Sequence, residues 1–162
     1  MATDAALRRR IAEFFECHNT LSLATTNVDQ PWAASVFFAA DEFFNLYFLS
    51  GENSRHSRNI ARNSGASVTV NKDHSDWFSI TGLQIEGCVS ISPAQERERV
   101  LSLYLSKFTN LSLLRDSPSN EQERLIIDRL VASDFYRLKP HKIRLIDNSR
   151  GFGFKTEISM TE

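Results

Sequence analysis

Within residues 50 to 58, six side chains are of the types that bind an anion: Ser50, Ser54, Arg55, His56, Ser57 and Arg58. Hydroxyls that both donate and accept, an imidazole nitrogen and two guanidinium groups are the side chains that bind phosphate or carboxylate. The surrounding residues set how they are held. Leu46-Tyr47-Phe48-Leu49 is a short apolar run of strand character, and Ser50-Gly51 breaks it. A helix follows, with Ser54 as N-cap and a stop at Asn63-Ser64-Gly65, where Gly65 suits a left-handed C-cap. This order of strand, polar turn and helix turns unpaired N–H groups and the positive end of the helix dipole toward the turn. Arg55 and Arg58, at i and i+3, share a face of the first turns and oppose that dipole, where helix stability alone would favour Asp or Glu. In one reading the stretch is an anion cradle. In the other, Ser-Arg-His-Ser-Arg is a capped and solvated helix start.

The whole chain bounds what such a site can serve. With 162 residues it is sized for one domain, 1–162, with a proper hydrophobic core. Nineteen basic against twenty acidic residues leave a net charge of −1, so no global field favours nucleic acid or an acidic membrane. Cys17 and Cys88, the two cysteines, lie in no metal-binding spacing, and no metal site is expected. The N-terminal residues contain no apolar signal-peptide core, and no run approaches the roughly 18 apolar residues of a membrane span, so a cytoplasmic protein is expected.

Periodicity places the elements around the cradle. An amphipathic helix runs from Asp4 to about His18-Asn19 with Leu7, Ile11, Phe14 and Phe15 at helical spacing, and Thr20 to Thr26 is a strand ending at the turn Asn27 to Pro31. Trp32 to Ala40 is the most apolar strand. Trp32, Ala34, Val36 and Phe38 share one face, and Ala33, Ser35, Phe37 and Ala39 the other, so neither face is wet and a partner subunit or a bound ring must cover one of them. After a hairpin at Asp41-Glu42 and Asn45 and the cradle itself, Ala66 to Asn71 is a strand, and Phe78 to Ser92 is the longest one. Gly87 interrupts its apolar row and marks a bulge or close backbone approach in a small barrel. Ser92-Pro93-Ala94-Gln95 opens a helix reaching about Phe108. Thr109 to Asn120 is a surface loop, and Ser119 caps a helix from Glu121 to Val131 anchored by Leu125, Ile126 and Leu130. Phe135 to Leu138 and Ile143 to Ile146 are two last strands around Pro140-His141. Gly151-Phe152-Gly153-Phe154 reads as a cover for a flat ligand, a contact with a neighbouring subunit, or an edge strand. The fold class is α+β, mainly β.

The strand-to-helix turn Ser-Gly-Glu-Asn-Ser-Arg-His, the later strand Gly-Leu-Gln-Ile-Glu-Gly and the series of short strands resemble the pyridoxamine 5'-phosphate oxidase-like, FMN-binding split-barrel family, over about Leu21 to Ser92. Phe-Tyr-Arg-Leu-Lys-Pro at 135 to 140 and Asp-Asn-Ser-Arg-Gly-Phe-Gly-Phe-Lys at 147 to 155 look like the terminal strands of a bacterial branch of it. The resemblance implies a small split barrel of about six to seven mostly antiparallel strands with flanking helices, forming a homodimer with FMN at the interface. It implies that Ser50, Ser54, Arg55 and His56 hold the FMN phosphate, that the backbone of Ala34, Ser35 and Val36 lines the flavin ring, and that Gln84 reaches it. His56 stands where the family has lysine; a histidine mostly neutral near pH 7 grips phosphate less firmly. The family's oxidases carry a C-terminal Arg and His for pyridoxamine phosphate, and no such pair follows Lys142, so that activity is not expected.

No Ser/His/Asp motif or informative carboxylate pair assigns a side chain as acid, base or nucleophile, so the catalytic residues are unassigned and the redox chemistry would be the cofactor's. The implied function is a flavin-dependent oxidoreductase acting on a small molecule. The alternative is a non-catalytic flavin- or haem-binding module.

Overall fold

The computed structural model describes residues 4–160. Eight antiparallel strands form one sheet: β1 (Thr20–Asn27), β2 (Gln30–Phe37), β3 (Ala39–Ala40), β4 (Leu46–Ser50), β5 (Gly65–Asn71), β6 (Thr81–Ile91), β7 (Asp134–Asp147) and β8 (Lys155–Ser159). They are ordered β2-β1-β5-β6-β7-β4-β3, with β8 added alongside β7. Phe38 alone separates β2 from β3, which stand at opposite ends of that order. Two peptide units span only about 7 Å, so the sheet must curl until its ends meet. Among the described residues β2 pairs only with β1. The barrel is therefore split, with an open edge along β2.

Strand alternation fills the interior. Leu21 and Leu23 of β1, Val68 and Val70 of β5, Leu83 and Ile85 of β6 and Leu138, Ile143 and Leu145 of β7 are buried together. Helix α1 (Asp4–Cys17) adds Leu7, Ile11 and Phe15, and α2 (Arg55–Arg62) adds Ile60. Ile11 is fully buried, so its truncation to Ala would cost about 2–5 kcal/mol. Arg10 meets the buried Asp147 at 2.6 Å and ties α1 to the end of β7.

At Glu86/Gly87 the β6–β7 register shifts. Glu86 opposes Lys142 and Gly87 opposes Pro140, leaving His141 as the extra residue. A Cβ on Gly87 would run into the Lys139 carbonyl oxygen, so the glycine serves a close backbone approach. The bulge also accommodates Pro140, and β7 runs unbroken where two strands were expected.

Outside the barrel, α3 (Arg97–Lys107) lays Val100 and Tyr104 on Ala39, Tyr47 and Phe135, and α4 (Thr109–Asp116) and α5 (Glu121–Ala132) follow. The expected loop from Thr109 to Asn120 thus contains a helix, whose short apolar pattern is masked by Thr, Asn and Ser. Its Leu111 packs beside Tyr104 while Leu113 is exposed. Ser92 makes no capping bond, and α3 begins at Arg97 after a 3-10 turn, Ala94–Glu96. Asn120, not Ser119, caps α5, and of Leu125, Ile126 and Leu130 only Leu130 is buried. Gly65 begins β5 instead of capping α2, which Asn63 ends in an extended conformation. Trp77–Ser79 is a 3-10 turn, so the exposed Phe78 lies outside β6. Gly151 and Gly153, at φ 135° and 77°, form a turn feeding β8, an edge strand, and leave Phe152 exposed.

Candidate functional site

Ser50 is the last residue of β4 and Ser54 the N-cap of α2, and between them the chain turns over Gly51. Ser50 Oγ stands 2.9 Å from Ser54 Oγ, 2.7 Å from His56 Nε2 and 3.1 Å from Ser57 Oγ. Ser54 Oγ accepts from the Ser57 N–H at 3.1 Å and donates to Ser57 Oγ at 2.8 Å. Three hydroxyls and an imidazole therefore form one connected cluster, with Ser50 and Ser57 buried. Burial lowers the His56 pKa from its ordinary value, so its ring is neutral at pH 7 and the cluster itself carries no charge.

The charge comes from Arg55 and Arg58, both exposed. Among the described residues no carboxylate lies within ion-pair distance of either. Arg55 instead holds its guanidinium over the Trp32 ring, 4.4 Å from the centroid. Such a contact contributes about 0.5–1 kcal/mol at an exposed site and here keeps Arg55 against β2.

A two-residue turn, Val28-Asp29, joins β1 to β2, so Asn27 and Gln30 form a hydrogen-bonded pair and the ladder alternates from there. Ala34 and Val36 then spend their backbone groups on Leu23 and Leu21, with side chains turned inward. Ala33, Ser35 and Phe37 turn N–H and C=O to the open edge. Pro31, which has no N–H, falls on the unbonded side, and the Phe37 carbonyl accepts from Tyr104 OH at 3.5 Å, as this alternation requires. Of Ala34, Ser35 and Val36, only Ser35 has backbone groups free for a ring. Gln84 is not brought to this place. It lies on the outer face of β6 with its Oε1 3.5 Å from Arg144 Nη1, and β5 and β1 separate it from β2. Three strand spacings put it about 14 Å from Ser35.

A cavity of about 690 Å³ opens beside the cradle, between the ends of β2 and β4 and the helices α3 to α5. Ser50 borders both. Phe37 meets Phe108 edge-on at 5.5 Å and Tyr104 lies 4.7 Å from Phe108, giving the cavity an aromatic wall. Burial raises the Tyr104 pKa, so its phenol stays protonated. Lys107 donates to the Phe15 and His18 carbonyls at 2.8 and 2.6 Å, and burial pushes its amine down to about 8. Helical periodicity places Tyr104 and Phe108 on the core-facing stripe of α3. Their second role depends on Phe37, a residue of another element, and periodicity along α3 carries no sign of it. Among the described residues no group of three His, Cys, Asp or Glu side chains could hold a metal, and no helix is long and apolar enough to cross a membrane.

The pyridoxamine 5'-phosphate oxidase family model matches residues 7–146. A UPF0306 protein of Klebsiella pneumoniae is 23% identical over 156 residues, 96% of this chain and 92% of that protein. Among solved structures, a heme binding protein from Mycobacterium smegmatis aligns with a TM-score of 0.70 at 16% identity, over 99% of this chain and 60% of that one. A FAD-binding protein from Mesorhizobium loti aligns with a TM-score of 0.60 at 16% identity, over 83% and 90% of the two chains. At these identities the solved structures establish the fold alone. The family match runs from α1 through nearly all of β7 and takes in the split barrel, the cradle and the open edge of β2, and on that match the chain belongs to the pyridoxamine 5'-phosphate oxidase family.

Proposed function

We propose that this protein binds FMN, with the phosphate at the β4–α2 turn and the flavin along the open edge of β2, and uses it in oxidoreductase chemistry on a small molecule. The observation that carries this reading is Arg55: a guanidinium with no carboxylate partner among the described residues, held over Trp32 so that the phosphate end of the site and the strand edge are adjacent. Arg55 can meet two phosphate oxygens at once, Arg58 adds charge from the next turn, and the Ser50 and Ser54 hydroxyls rotate to donate. The free N–H and C=O of Ser35 suit the polar edge of a flavin ring. Bound FMN would supply the electron transfer. The chain's own part is to bind, to orient and, through Phe37, Tyr104 and Phe108, to keep water from one side of the site.

Trp32 and Phe37 are 40% and 57% exposed along an unpaired strand edge, which supports a homodimer that covers this face. Two free, exposed cysteines fit a reducing, cytoplasmic setting. Flavin is favoured over haem because the one imidazole of the cradle, His56, has its Nε2 2.7 Å from Ser50 Oγ, while the Arg55 guanidinium beside it suits a phosphate.

Fluorescence-quenching titrations of wild type and Arg55→Ala with FMN and with riboflavin test the reading. A charge-assisted hydrogen bond contributes roughly 1.5–3 kcal/mol, so the variant should bind FMN about 10- to 150-fold more weakly while riboflavin affinity hardly changes. Equal wild-type affinities for the two ligands would overturn the phosphate site. Sedimentation of the same samples at micromolar concentration should show a dimer, and a monomer that still binds FMN would overturn the interface alone. Reduction of the bound flavin by NADH or NADPH, followed by transfer to an acceptor, separates enzyme from carrier.

A further inference from the structure

The aromatic cavity beside the cradle has a charge pattern of its own. Two cations, Lys107 and Arg129, lie on its wall, and no carboxylate does. Lys107 is occupied with the two carbonyls at the end of α1. Arg129 sits in the last turn of α5, where a basic residue ordinarily serves the free carbonyls of the helix end. That task is already filled by Arg97, which donates to the carbonyls of Leu130, Val131 and Ser133 at 3.0–3.1 Å. Among the described residues no carboxylate pairs with Arg129. Ile126, one turn earlier on the same face, keeps 45% of its surface exposed and lines the same cavity. The rings of Phe37, Tyr104 and Phe108 line the same cavity.

We propose that this cavity binds a planar, apolar monoanion, an aromatic carboxylate whose ring packs against Phe37 and Phe108 and whose carboxylate meets Arg129. About 690 Å³ lies in the range of small-molecule sites and admits a bicyclic ring. Offset or edge contacts with two aromatic side chains favour a flat ligand, and the guanidinium fork fits a carboxylate in two hydrogen bonds. Because Ser50 borders both cavity and cradle, the ligand would lie beside the flavin; that placement, and only that, rests on the FMN reading.

Calorimetric titration with 2-naphthoate and with the neutral 2-naphthalenemethanol, on FMN-free and FMN-saturated protein, tests this. Naphthoate should bind about 10-fold more tightly than the alcohol. Arg129→Gln, at an exposed position, should remove that difference without changing the affinity for the alcohol, and Phe108→Ala should weaken both ligands. Equal affinity of the wild type for the two ligands, no binding of either, or an unchanged preference in Arg129→Gln would overturn the proposal. Naphthoate binding that survives when FMN does not bind at all would overturn the flavin reading and leave the cavity site standing. One-for-one competition between naphthoate and FMN would overturn a separate site beside the flavin.

Discussion

Helices α2 and α5 both begin at a side-chain cap, yet they treat the positive charge of that end in opposite ways. Ser54 Oγ accepts from Ser57 N at 3.1 Å in α2, and Asn120 Oδ1 accepts from Glu123 N at 2.9 Å in α5. In α5 the first turn carries Glu121 and Glu123, and the Glu123 carboxylate reaches back to the Ser119 N–H and the Asn120 amide. That end is neutralised from within, as a capping box does. The first turn of α2 carries no acid, and Arg55 and Arg58 stand beside it without carboxylate partners among the described residues. One chain contains both solutions, so the α2 arrangement is not what helix stability alone favours. It leaves the end open to an anion from outside.

Giving α2 the charge pattern of α5 should produce the largest effect. Arg58→Glu removes a cation and adds a repulsive carboxylate, so FMN affinity should fall by roughly 100-fold while the apo protein gains about 0.5 kcal/mol from the helix dipole. Titration and thermal melting read the two changes. Undiminished FMN affinity would show that the contrast between the helices has no bearing on ligand binding.

Removing the caps should have a smaller effect and should separate their roles. Ser54→Ala and Asn120→Ala should each cost about 1 kcal/mol in denaturant unfolding. Only Ser54→Ala should also weaken FMN, because only that cap lies among the hydroxyls of the cradle. A similar loss of FMN affinity in both variants would mean that the ligand responds to overall stability and not to the α2 end.

The smallest expected effect is that of pH through His56. Its folded-state pKa is depressed by burial, so in the fold the neutral ring persists to lower pH than in the unfolded chain. The unfolded state then binds more protons as pH falls through about 6.5, and stability is full above that value and declines below it. Denaturation midpoints from pH 7.5 to 5 should show a loss that His56→Gln reduces. FMN phosphate should oppose the shift by favouring the charged imidazolium. A variant whose pH profile matches the wild type would place the titrating group elsewhere.

The β4–α2 turn is legible in residue order because its determinants lie within one turn of helix: the break at Ser50-Gly51, the Ser54 cap and the spacing of Arg55 and Arg58 are local. The same holds for the α1 stripe of Leu7, Ile11 and Phe15, and for Gly87, whose missing side chain signalled a close approach before its partner Lys139 was identified. Periodicity says which face of a strand is buried but not which strands pair. The order β2-β1-β5-β6 keeps Gln84 about three strands from β2, which no period along β6 reveals, and the unpaired backbone of Ser35 follows only from the place of β2 at an edge. The aromatic cavity depends still more on assembly, since Phe37, Phe108 and Arg129 come from a strand and two helices and meet only because α3 to α5 dock on the outside of the barrel. Sequence determined the local chemistry, element by element. Curling of the sheet, imposed by the single residue between β2 and β3, decided which chemistries became neighbours, because contacts between distant residues are set by closure of the whole chain and not by the period of any part of it.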